Sequence, residues 1–134
     1  MNRRIVSCCM VMAIFGLVFT VGCGDSGPVR CDVTGTVTLD GEPLETGEIL
    51  FLPADGQGPS DTCQIVAGAF EGEVTPGSKK VEISSTKEIP ATETGGMPDY
   101  ISLVPAKYNT ATTLTAEVTE GGIEPATFAL EGGN

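Results

Sequence analysis

The sequence predicts an all-β fold, an antiparallel β-sandwich of about seven strands. Three observations point there. Short runs rich in Val, Ile and Thr alternate apolar and polar at period two. Between them, 18 Gly and 9 Pro provide frequent turn chemistry. No segment carries a sustained helical stripe. The length of 134 residues suits one domain rather than two.

The first residues stand apart from that pattern. Arg3 and Arg4 are followed by an uncharged run of 17 residues, 5–21, which ends at Gly22-Cys23-Gly24-Asp25 without a positive stop-transfer cluster. We read 1–22 as a cleaved export signal rather than a permanent membrane helix. Thr20-Val21-Gly22-Cys23 resembles the bacterial lipobox, with Thr where Leu is usual, and that resemblance implies a lipoprotein signal peptide. Cys23 then carries the lipid and becomes the mature terminus, and each buried acyl CH₂ contributes about 0.8 kcal/mol to holding the chain at a membrane. The alternatives are an ordinary signal with an incidental cysteine and a retained single helix. Residues 23–30 form a polar tether.

Removing Arg3 and Arg4 with the leader takes the net charge from −11 to −13. So acidic a chain excludes nucleic acid as a partner, because phosphate binding depends on clustered Lys and Arg. The sequence has no His and no Trp. Ser-His-Asp or Cys-His catalysis and His-ligated metal sites are excluded with them. Cys8 and Cys9 leave with the signal, so Cys31 and Cys63 remain as an even pair in an oxidising compartment. They form either a disulfide or two buried free thiols.

The domain proper, 31–134, opens with Cys31–Leu39. Val33, Val37 and Leu39 share one face and Thr34, Thr36 and Thr38 the other, which predicts a half-buried strand. Asp40-Gly41 makes a turn. Residues 48–52, apolar on both faces, predict a central strand closed by Pro53. Residues 62–66 and 69–74 predict two strands around Ala67-Gly68. After Pro76-Gly77, residues 80–84 alternate with Val81 and Ile83 inward. Alternation returns at 113–118 and 126–130. Between them, 86–111 holds three prolines, Pro90, Pro98 and Pro105, and no sustained period. A loop this long inside a domain is usually functional or partly disordered.

Val33-Thr-Gly-Thr-Val-Thr-Leu-Asp-Gly-Glu-Pro-Leu44 with Gly47-Glu-Ile-Leu-Phe-Leu-Pro53 is similar to the opening of carboxypeptidase regulatory-like, transthyretin-like domains. Pro76–Ile83 resembles the strand after that family's Pro-Gly turn. Val104–Asn109, Thr113–Val118 and Phe128–Leu130 resemble the C-terminal pattern of small exported lipoproteins of planctomycete type. The resemblance implies a transthyretin-like, immunoglobulin-like sandwich used as a stabilising or interaction module, without catalytic residues of its own. At Val66-Ala67-Gly68-Ala69 the chain departs from the family's Asp-x-Asp-Gly turn, losing carboxylates that would have suited calcium.

Candidate sites follow from residue chemistry. Glu42, Glu45 and Glu48, or Glu71 and Glu73, supply carboxylates for a two-carboxylate hydrolase only if they face each other across a cleft. Asp25, Asp40 and Asp55 near glycines read as turn formers; no metal site is expected. Met97, Tyr100, Ile101 and Tyr108 offer an amphipathic, aromatic contact in the long loop. They serve either as a partner-binding surface or, with Leu103 and Val104, as cover for an open end of the sandwich. Lys79, Lys80 and Lys87 are expected on an edge strand, where Lys discourages pairing between molecules.

The expected function is therefore a non-enzymatic, lipid-anchored envelope module exposed to the periplasm or cell surface, needing no cofactor. Its partners are the membrane, through lipid on Cys23, and an envelope protein or a glycan. A carbohydrate- or small-ligand-binding domain is the first rival and a carboxylate-based hydrolase the second.

Overall fold

Residues 27–133 are described by the computed structural model, and each of the seven predicted runs forms a strand. In chain order these are β1 (Cys31–Leu39), β3 (Thr46–Pro53), β4 (Asp61–Val66), β5 (Ala69–Val74), β6 (Gly77–Ser84), β9 (Thr115–Thr119) and β11 (Thr127–Leu130). Four short strands join them: β2 (Glu42–Pro43), β7 (Thr86–Ile89), β8 (Asp99–Ser102) and β10 (Gly122–Glu124).

The main sheet runs β10-β9-β6-β3-β4-β5-β1-β11, with β2 added to β1. β4 and β5 pair only beside their turn, at Ile65–Phe70 and Val66–Ala69, and beyond it they part. There the sheet folds over into two layers, and β1 comes against β9 and β10 from the opposite side. The architecture is thus an all-β sandwich. Among the described residues all strand pairs are antiparallel but one: β11 runs parallel to β1, because the β10–β11 connection crosses between layers instead of turning in a hairpin.

Alternation decides what faces inward. Val33 and Val37 of β1, Ile49 and Phe51 of β3, Ile65 of β4, and Val81 and Ile83 of β6 are at most 1% exposed. Phe51, Phe70 and Phe128 carry the core from layer to layer, with centroids 6.1 and 6.2 Å apart in tilted pairs. Such pairs contribute about 0.5–1.5 kcal/mol beyond burial of their area. Gly35 makes that packing possible. A Cβ there would lie 2.5 Å from the Phe70 ring and 2.3 Å from the Ala126 carbonyl oxygen.

Two expectations need correction. The segment 86–111 is not a structureless loop. It holds the β7–β8 hairpin, a one-turn helix α1 (Ala91–Thr94) and a 3₁₀ turn at Ala106–Tyr108. Its proline-rich composition hid two four-residue strands too short to show a period.

Lys79 and Lys80 do not mark an edge. β6 lies between β9 and β3, and Lys79 sits on its inward row, buried. Lys80 faces out and pairs loosely with Glu82 at 3.7 Å. Lys87 alone is on an edge, in β7 of the separate two-stranded sheet.

Of the two states left open for Cys31 and Cys63, the structure has two buried free thiols. The Cys63 thiol lies over Gly72, where an added Cβ would come within 2.6 Å of its sulfur. Burial, with the charge of Asp61 behind it, raises its pKa, which favours the unreactive thiol form.

Candidate functional site

Strand directions give the sandwich two distinct poles. The chain enters β1 at the first, where the ends of β3 and β5 and the starts of β4 and β6 also lie. At the second are the β1–β2 turn, the β4–β5 turn, the end of β6 and the hairpin that follows it.

The first pole is closed by a polar network. Asp61 opens β4 on its inward row and is 4% exposed. Its Oδ1 accepts from Arg30 at 2.7 Å, and its Oδ2 accepts from the Thr75 backbone N–H at 2.9 Å and hydroxyl at 2.7 Å. Thr75 Oγ1 in turn accepts from Lys79 Nζ at 2.6 Å. Burial pushes the Asp61 pKa upward. The two Thr75 hydrogen bonds, helped by the charges of Arg30 and Lys79, outweigh that and hold it below the ordinary 3.8. Arg30 also donates to the Glu73 carbonyl at 3.3 Å, so it clips the incoming chain onto the domain. Sequence reading missed this network. The one available signal was Lys79 in register with inward Val81 and Ile83, at odds with its charge.

The second pole is built differently. β7 and β8 form a two-stranded ribbon of their own, paired from Thr86–Ser102 to Ile89–Asp99. All their residues are exposed except the half-buried Ile89. Tyr100 is 62% exposed, Ile101 43% and, in the turn, Met97 79%. Only a 3.4 Å contact from the Tyr100 hydroxyl to Glu88 holds the ring. A groove of about 550 Å³ runs along the ribbon's base. Leu39, Pro43 and Leu103 supply its apolar lining, and Glu42, Glu45 and Glu88 outnumber Lys87 around it.

The structure therefore divides the predicted contact residues. Met97, Tyr100 and Ile101 come together on the hairpin, whereas Tyr108 does not join them. It is half-buried against the core, its hydroxyl accepts from the Glu131 N–H at 3.0 Å, and Lys107 Nζ lies 4.9 Å above its ring. Val104 is 2% exposed. The two halves of the segment thus differ: 86–102 projects, and 103–112 folds back as cover.

Cys23 lies outside the described residues. Glu42, Glu45, Glu48, Glu71 and Glu73 are all exposed. Among the described residues no three acidic or Cys side chains gather as a metal site, and no helix is long and apolar enough to cross a membrane. Comparison with family models, curated proteins and solved structures returned no match.

Proposed function

We propose that this protein is a non-catalytic, lipid-anchored envelope module that presents the β7–β8 hairpin to a partner. The observation that carries the reading is the placement of the hairpin at the pole opposite the tether. From Cys23 to Gly27 the chain reaches at most about 14 Å, so an anchor on Cys23 keeps the Arg30 pole near the bilayer. β1, with 9 residues, then spans about 30 Å and carries the hairpin outward.

An exposed Tyr–Ile pair on a preformed ribbon supplies contact area at little ordering cost. The acidic rim of the groove beside it favours a partner with an apolar, positively charged surface. The motifs similar to those of carboxypeptidase regulatory-like, transthyretin-like domains, which fall on β1, β2, β3, β6, β9 and β11, support membership of that fold group and a periplasmic or cell-surface location.

Photo-crosslinking in native envelopes tests the reading. A benzophenone side chain at position 100 should capture one discrete partner that position 57, at the other pole, does not. Equal capture from both positions would overturn hairpin-directed binding. Membrane partitioning that persists in Cys23→Ala would overturn the anchor.

A further inference from the structure

Beside the Asp61 network, and away from the hairpin, lies an open cleft of about 540 Å³ at the tether pole. Pro28, Val29, Pro53, Pro59 and Pro76 make its walls largely apolar, and Lys79 lines it. Lys79 is only 3% exposed. Its ammonium has one acceptor, Thr75 Oγ1, although it carries three donors. Neither Asp61 oxygen accepts from it, as Oδ1 is bonded to Arg30 and Oδ2 to Thr75. Within this cluster two cations, Arg30 and Lys79, stand against one carboxylate. A buried ammonium short of acceptors is destabilising unless something in the cleft completes it.

We propose that this cleft binds a small monocarboxylate with an apolar body. The carboxylate accepts from the Lys79 ammonium, and the body rests on the prolines. Asp55, which also lines the cleft, repels a second negative charge and so selects a monoanion over a phosphate dianion. The assignment is independent of the hairpin.

Titration of the isotopically labelled protein with butyrate, methyl butyrate or inorganic phosphate, followed by amide NMR, tests it. Butyrate should produce saturable shifts at Ala54, Gly77 and Ser78, and the ester and phosphate should bind at least about tenfold more weakly. Lys79→Met should abolish the saturable response. Acid and ester acting alike, no saturation at any butyrate concentration up to about 100 mM, or an unchanged response in a folded Lys79→Met variant would overturn the proposal. Should that variant fail to fold, the acid–ester comparison on the natural protein still decides.

Discussion

At the pole where the chain enters, Arg30, Asp61, Thr75 and Lys79 are joined in one hydrogen-bonded network. At the other, Tyr100 and Ile101 stand on a ribbon that contributes almost nothing to the core. The first pole uses charge to close a layered structure whose apolar rows run out. The second leaves apolar side chains in solvent, where they add no stability to the isolated domain. Side chains whose removal costs the fold little are the ones a protein can devote to a partner, whereas the network is committed to holding the sandwich shut.

Mutations should separate the poles by size of effect. Asp61→Ala leaves the Lys79 ammonium buried without its counter-charge. It should cost about 3–5 kcal/mol, measured as a fall in the urea midpoint at constant slope. Arg30→Ala removes the partly exposed partner and should cost no more than about 1 kcal/mol. Equal costs would show that the network is not organised around the buried carboxylate.

Val104→Ala, in the half of the segment that folds back, should cost about 2 kcal/mol through the cavity it leaves. A negligible cost would show that 103–112 is as detached as the hairpin.

Acid sharpens the comparison at one residue. The folded protein keeps Asp61 ionised at pH values where the unfolded chain has already taken up a proton. Its stabilisation is therefore complete above the unfolded value of about 3.8 and is lost as pH falls through the lowered folded value. Between about pH 5 and pH 2, the natural protein should lose stability more steeply than Asp61→Asn. Parallel curves would place the acid sensitivity elsewhere.

The smallest effects belong to the hairpin. Tyr100→Ser and Ile101→Ser should each change stability by less than about 0.5 kcal/mol while removing partner capture. Amides of β7 and β8 should exchange with solvent well before those of β3 and β6.

Much of the fold was legible. Thr34, Thr36 and Thr38 against Val33, Val37 and Leu39 announce β1, and Asp40-Gly41 and Ala67-Gly68 announce their turns. Both turns have positive φ at their two central residues, as tight hairpins require. The tyrosines were legible only as alternatives. Nothing local distinguishes Tyr100, left on a ribbon, from Tyr108, drawn onto the core, because that choice depends on whether Val104 has already fixed the chain against the sandwich. Cys31 and Cys63 were likewise legible only as alternatives, a bridge or two buried thiols, and the structure has the thiols.

The amino-acid pattern by itself determined where the seven main strands lie and which side of each turns inward, since period-two alternation and glycine turns act over a few neighbouring residues. Only the tertiary structure decided that Lys79 would meet Thr75, that Asp61 would serve Arg30 and Thr75 together, and which end of the sandwich would carry an exposed ribbon. Those outcomes depend on strand order and layer closure. Arg30 and Thr75 lie 31 and 14 positions from Asp61, and no local periodicity encodes that separation.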